Sequence, residues 1–314
     1  MDRSGIADAA ARVLDAVGAD LAAEPDGWTP SVQGAVGHVL GLRGGDGARQ
    51  VLKIYAPDAA RAAATEVDAL GRFAAVADVA TPVVIASDVL GQRHGVPYVV
   101  LSRLPGVRWA DRRGELTPSQ TRAVTEEVGR VLRRLHVVRG VRFGSLSPTG
   151  RAWADAWERL DARCDQLLHD HLRIGGSWAM ARRTRTLVDG HRDAFRDVSA
   201  SALCHNDLVD ANVLVAARGE PTVVGVVDLE RASWDDRMAD LARTRSHVRG
   251  HDEEGVAQLA TAYGVNDDER ARLRVHEVLH AVEERSWMSV DRPAGWTDAV
   301  ATLDAFLARR TCFL

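Results

Sequence analysis

The stretch from Leu203 to Glu230, LCHNDLVDANVLVAARGEPTVVGVVDLE, constrains this chain more than any other. Two apolar, β-branched runs, ANVLVAA and TVVGVVDL, are separated by a Glu-Pro turn, which spells a β-hairpin. Polar groups crowd its edges: His205, Asn206, Asp207, Asp210 and Asn212 before the first run, Asp228 and Glu230 at the end of the second. A hairpin brings Asp228 back toward Asn212 and Asp207. Two carboxylates and a carboxamide beside apolar strands suit a hard, oxygen-seeking cation. Magnesium fits best, because it binds through one or two protein oxygens together with water and phosphate. Asp207 is then left to orient or deprotonate a hydroxyl, a division of labour that phosphoryl transfer requires. Asp and Asn also cap turns. The spacing sets this array apart from ordinary caps, with Asn212 five residues after Asp207 and Asp228 sixteen after Asn212.

The bounds agree with a globular enzyme. The chain has 314 residues, 46% hydrophobic and 27% charged, enough for two lobes or two small domains. A net charge of −4 lacks the basic surplus of a nucleic-acid binder. Three widely spaced cysteines, Cys164, Cys204 and Cys312, make neither a disulfide framework nor a Cys-x-x-Cys site. The N-terminus has no cationic start followed by an apolar core, and no apolar run approaches 18 residues. A soluble, cytoplasmic protein with no membrane partner is expected.

Periodicity divides the chain near residue 104. A first helix is predicted over GIADAAARVLDAVGADL. Residues 28–104 then read β, β, β, α, β, β, with strands at HVLGLR, RQVLKIY, TPVVIASD and PYVVLSRL and with Asp58 as the N-cap of the Ala-rich helix. Beyond 104 the pattern is helical: 117–136, 151–171, 178–196, 237–248, 252–263, 267–288 and 295–310, interrupted by the hairpin.

The segments HNDLVDANVLV, VVDLE and MADLA together resemble the catalytic signatures of the aminoglycoside phosphotransferase-like family, relatives of the protein kinases. That family reads His-Gly-Asp-x4-Asn, then Asp-x-Glu, then Asp-Leu-Ala on a helix. The resemblance implies Asp207 as catalytic base, Asn212 and Asp228 as Mg2+ ligands, Asp240 as the helix residue bracing the catalytic loop, and His205 as scaffold. Asn206 stands where the family has Gly, and Leu229 where Trp is common. Asn tolerates unusual backbone angles better than most residues.

The same resemblance calls for a strand lysine and a helix glutamate in the first lobe. Lys53 in QVLKIY and Glu66 thirteen residues later supply them, Lys53 holding phosphate oxygens and Glu66 holding Lys53. A buried lysine without a partner is costly, which favours the pair. SVQGAVGHV, with Gly34 and Gly37, offers either phosphate-covering amides or a plain hairpin turn. VVLSRLPG resembles the family's hinge, where the backbone of Ser102 and Leu104 would meet a purine edge. The implied fold is a two-lobed, kinase-like α+β protein, residues 1–103 forming the nucleotide-binding lobe and 104–314 the catalytic and acceptor-binding lobe.

One rival motif is HEVLH at 276–280, which sets two histidines on one helical face with spacing for zinc. It lacks a further His, and no Glu follows Glu284, so a zinc hydrolase is disfavoured and the segment is read as a helix. For the acceptor, Glu230, Trp234 and Trp287 are the candidates, an acidic and aromatic set that could face a cationic or fused-ring compound. The expectation is an ATP- or GTP-dependent, Mg2+-dependent O-phosphotransferase acting on a small-molecule hydroxyl, foremost an antibiotic of aminoglycoside, nucleoside or peptide type. A metabolic kinase of the sugar, choline or homoserine type and an inactive kinase-like ligand-binding protein are the alternatives.

Overall fold

A computed structural model of the protein describes residues 3–33, 37–74, 79–250 and 252–311. The chain falls into two compact units, Met1–Val124 with Asp210–Ala232, and Thr125–Val209 with Ser233–Leu314. Compactness thus groups the Asn212–Asp228 hairpin with the N-terminal segment rather than with its sequence neighbours.

In the first unit, five antiparallel strands lie in the order Ala23–Pro25, Gly37–Gly44, Arg49–Tyr55, Tyr98–Ser102, Val84–Asp88. Alternation along Arg49–Tyr55 sends Leu52 and Ile54 to one face, where they pack with Leu42, Tyr98 and Val100 under Ala10, Val13 and Val17 of the Arg3–Asp20 helix. Lys53 and Tyr55 point to the other face, toward the Ala60–Phe73 helix. That helix buries Ala63, Glu66, Ala69, Leu70 and Phe73, an i, i+3 stripe that turns Glu66 inward. Gly37 opens its strand where a Cβ would lie 2.2 Å from the Ile54 carbonyl oxygen, so close strand approach requires glycine there. A second, three-stranded sheet runs Val223–Val226, Val213–Val215, Val107–Arg108 and registers Val213 opposite Val226. This is the expected hairpin, with a one-residue irregularity after Leu214.

The second unit is helical around a small sheet of short strands, ordered Arg139–Gly140, Ser201–Cys204, Ser233–Asp235, Phe143–Gly144, Ala152–Trp153. Most of Pro118–Leu135 and all of Ala156–Arg173, Trp178–Gly190, Arg237–Arg249, Glu253–Tyr263, Asp267–Asp291 and Trp296–Thr311 are its helices. Leu160, Cys164, Leu187, Phe195, Val278, Leu279, Val282 and Leu307 fill its core. Asn266 and Glu269 form a reciprocal capping box at the start of the longest helix. No helix among the described residues is long and apolar enough to cross a membrane.

Three local expectations need correction. Asp58 does not cap the Ala60–Phe73 helix. Pro57 sets a 3-10 turn over Pro57–Ala59, leaving Ala59 at the cap position without a side-chain bond. Among the described residues, only two strands precede that helix within 28–104; the third, Ala23–Pro25, lies upstream. Ser233–Asp235 is a strand that sequence pattern does not announce. Gly34 and Cys312 lie outside the described residues.

Candidate active site

In the first unit, Lys53 is 9% exposed, and its strand position aims the ammonium at the Ala60–Phe73 helix. Nζ lies 2.9 Å from Glu66 Oε2, 2.6 Å from Asp228 Oδ1 and 2.8 Å from Glu230 Oε2. Tyr55, two residues along the same face, donates its hydroxyl to Glu66, and the Leu229 amide donates to Glu66 Oε1 at 3.3 Å. Glu66 is therefore held by a lysine, a phenol and the backbone beside Asp228. Burial by itself would lower the Lys53 pKa, but Glu66, Asp228 and Glu230 outweigh it and hold the ammonium well above the usual lysine range. Burial pushes the Glu230 carboxyl up, opposed by Lys53 and reinforced by Asp228.

Asp228 adopts a left-handed φ of 67°, which turns its side chain off the end of the strand. Across the hairpin, the Val227 amide donates to the Asn212 carbonyl at 3.0 Å, so Asn212, 7% exposed, sits beside the entry to Asp228. Three carboxylates answer one lysine here. The oxygens of Glu66, Asp228 and Glu230 all lie within 4.8 Å of one another, gathered on the single Lys53 ammonium, which is 2.8 Å from Glu230 Oε2. Three carboxylates around one ammonium leave surplus negative charge, which fits a hard divalent cation.

The predicted hinge residues sit at the end of the Tyr98–Ser102 strand. The Ser102 amide donates to Val83 O, and the Val83 amide donates back to Ser102 Oγ, both at 2.8 Å. Leu104 follows; a Cβ on Gly225 would lie 2.6 Å from its Cδ1, so the hairpin passes against it.

In the second unit, residues 205–208 form a loop gripped by the Arg237–Arg249 helix. Asp240, fully buried, accepts the amides of His205 at 2.6 Å and Asn206 at 2.9 Å. Its Oδ2 also meets His136 Nε2 at 3.1 Å, and His136 Nδ1 meets the Tyr263 hydroxyl at 2.9 Å. Burial alone would raise Asp240, but the His136 bond and the His205 amide hold it below the usual carboxylate range. Thr244 donates to the Leu208 carbonyl at 2.9 Å. Asn206 takes a φ of 62°, the left-handed region that glycine would occupy without strain, and its Nδ2 donates to Ser233 Oγ at 2.9 Å. Asp207, at the centre of this loop, receives Arg243 Nη2 at 2.8 Å and Nε at 3.1 Å on Oδ1.

Three acceptor candidates remain, Glu230 in the first unit and Trp234 and Trp287 in the second. Glu230 stands on Lys53, two residues past Asp228. Trp234 is 6% exposed, paired opposite Leu203 and packed on Gly140, while Trp287 is half exposed on the Asp267–Asp291 helix. The HEVLH histidines are engaged separately: His276 Nε2 meets Asp236 at 3.3 Å and His280 Nε2 meets Arg243 at 3.2 Å. Glu277 pairs with Arg245 and Arg249. Sequence reasoning missed Tyr55 and Arg243, although both stand at informative offsets, two after Lys53 and three after Asp240.

Residues 39–276 match the family model described as the phosphotransferase enzyme family. The chain belongs to that family. The phosphotransferase also resembles solved structures over nearly its whole length. An aminoglycoside phosphotransferase, APH(4)-Ia, in ternary complex with ADP and hygromycin B aligns at TM-score 0.69 and 16% identity, covering 96% of this chain and 98% of that one. The GDP complex of an aminoglycoside 2'-phosphotransferase-IIIa mutant aligns at 0.64 and 12%, covering 92% of each. The macrolide 2'-phosphotransferase MphH from Brachybacterium faecium aligns at 0.58 and 21%, covering 93% and 97%. No curated protein matches. The phosphotransferase thus has the kinase-like fold, an antiparallel-sheet N-terminal part and a helical C-terminal part, and is an enzyme of the class that moves phosphoryl groups onto hydroxyl acceptors.

Proposed function

We propose that this phosphotransferase moves the γ-phosphoryl group of ATP or GTP to a hydroxyl of a small-molecule antibiotic, of aminoglycoside, nucleoside or peptide type. The observation that carries the reading is the buried Lys53 joined to Glu66 and Asp228 by ion pairs of 2.9 and 2.6 Å. An ammonium held by a helix glutamate is oriented toward phosphate oxygens, and electrostatic positioning supplies most of the catalysis in phosphoryl transfer. The relatives solved with ADP and hygromycin B and with GDP support a purine nucleotide and an antibiotic acceptor.

Asn212 and Asp228 would hold Mg2+, which when bound neutralises charge on the phosphates. Lys53 fixes the nucleotide, and Glu66 keeps Lys53 charged and aimed. Asp207 accepts the acceptor's hydroxyl proton as the new O–P bond forms and the bond from the γ-phosphorus to the bridging oxygen breaks, releasing nucleoside diphosphate. Asp240 keeps the loop that bears Asp207 in shape through two backbone amides.

The test is a panel of aminoglycosides, nucleoside and peptide antibiotics, sugars, choline and homoserine, incubated with MgATP or MgGTP and read by a mass gain of one phosphate. Phosphorylation of an antibiotic, abolished by Asp207→Asn with nucleotide binding retained, is expected. Modification of a metabolite alone moves the enzyme to metabolic kinases. Nucleotide binding without transfer to any compound, or to water, makes the chain a ligand-binding protein.

A further inference from the structure

The second histidine of HEVLH does something other than bind metal. Arg243 Nη1 lies 3.2 Å from His280 Nε2, while Nε and Nη2 of the same guanidinium reach Asp207 Oδ1. A guanidinium only donates. As a hydrogen bond this contact makes His280 Nε2 the acceptor, which requires the neutral ring with its proton on Nδ1. Nδ1 faces Glu283 Oε2 at 3.8 Å, and Nε2 has Glu284 Oε2 at 3.5 Å. Glu283 is in turn paired with Arg163 at 2.8 Å, and Glu284 accepts from Ser246 at 3.1 Å. Burial lowers the His280 pKa; Arg243 adds to this, and Glu283 and Glu284 oppose it.

We infer that Arg243 is a positioning residue for Asp207 and that His280 is the anchor that aims it. The inference rests on Asp207 being the base. A carboxylate turns freely about its Cβ–Cγ bond, and a proton acceptor must stand at hydrogen-bond distance in the right orientation. Two N–H groups on one oxygen fix that rotation. Because the guanidinium is a rigid planar fork, holding Nη1 on His280 directs its remaining N–H groups at Asp207. Protonated His280 would set N–H against N–H and loosen the fork. Among the described residues, the charged groups that face His280 are Arg243, Glu283 and Glu284, and Arg243 is the cation bound to Asp207.

The experiment measures phosphate release from MgATP and MgGTP, with water as acceptor, for the full chain and five variants. Arg243→Ala is expected to lower kcat on the order of 10²-fold with nucleotide KM little changed. Arg243→Lys, which keeps charge but not the fork, stays low. His280→Ala loses roughly tenfold in kcat, and His280→Gln, which retains an acceptor near the Nε2 position, recovers most of that loss. Protonation of Asp207 gives every form an acidic limb, and the wild-type limb is steeper than that of His280→Gln because protonation of His280 adds to it. Wild-type kcat in Arg243→Lys, identical kcat in His280→Ala and His280→Gln, or the same pH profile in wild type and His280→Gln, overturns the inference. Asp207→Asn separates the two readings. If it abolishes turnover while the arginine variants do not, only the positioning role fails. If it turns over normally, Asp207 is not the base and both fail. Should a variant be unstable, the Arg243 Nε–H resonance supplies a second readout. It is expected to exchange slowly in the wild type and fast in Asp207→Asn; fast exchange in the wild type overturns the inference.

Discussion

Replacing Lys53 by Met tests the ionic cluster directly. It removes the one cation common to three carboxylates whose oxygens lie within 4.8 Å of one another. Asp228, with 35% of its side chain exposed, is screened by solvent and is left out of the sum. Glu66 and Glu230 have side chains 1% and 11% exposed and cannot shed their charge into water. Two like charges at that separation repel by about 3.5 kcal/mol at an effective dielectric of about 20. Breaking a buried ion pair by deleting one member typically costs about 3–5 kcal/mol, the same range. The expected loss at pH 7 is therefore about 3–5 kcal/mol, a large part of an ordinary domain's stability. The sign of its pH dependence follows from Glu230, whose carboxyl burial already pushes up. Without Lys53 it rises further, so the folded variant binds more protons than the unfolded chain, and the deficit shrinks as pH falls toward the unfolded glutamate value. Urea unfolding followed by tryptophan fluorescence at pH 7 and pH 5 measures both. Adding Glu230→Gln to the variant should restore most of the loss. A deficit below about 1 kcal/mol at pH 7, or one that is the same at pH 5 as at pH 7, refutes the electrostatic account.

Two further outcomes follow from the second unit. Asp236 is buried; although burial opposes it, bonds from His276 and Arg272 hold its carboxyl down at about 2. Its contribution is complete above the unfolded aspartate value near 4 and is lost as pH falls through about 2, about 2.5 kcal/mol in all. Urea unfolding of Asp236→Asn should show a stability curve flatter than wild type between about pH 4 and 2. Asn206→Gly relieves a left-handed residue but gives up the Ser233 bond, so the two effects, each about 1 kcal/mol, should nearly cancel in Tm. Asn206→Val, which keeps the strain and loses the bond, should lower stability by about 1–3 kcal/mol; equal Tm values for the two variants would contradict the backbone argument.

The parts of this fold that sequence disclosed are those whose signal is local. The hairpin through Asn212 and Asp228, the Lys53 strand and the Glu66 helix carry their own periodicity, and their order along the chain makes the pairing plausible before any coordinates. Ser233–Asp235 is different. Three residues cannot display an alternation, and the strand exists because Ser201–Cys204 pairs with it on one side and Phe143–Gly144 on the other. Asp58 has the chemistry of a cap, but the preceding proline decides the turn. Glu230 could be listed as an acidic residue near the site, yet its place on Lys53 depends on the left-handed turn at Asp228. Arg243 and His280 come from helices whose sequences give no sign that they meet over Asp207. Tertiary packing alone puts them there.

The clamp around Asp240 has a consequence for how far such sequences can diverge. It holds the loop by the amides of residues 205 and 206, groups that every amino acid except proline carries. The two handholds therefore set no requirement of their own on the side chains at 205 and 206; what restricts position 206 is its left-handed backbone, which Gly or Asn accepts. Divergence at residue 205 thus leaves the carboxylate's grip on the loop intact.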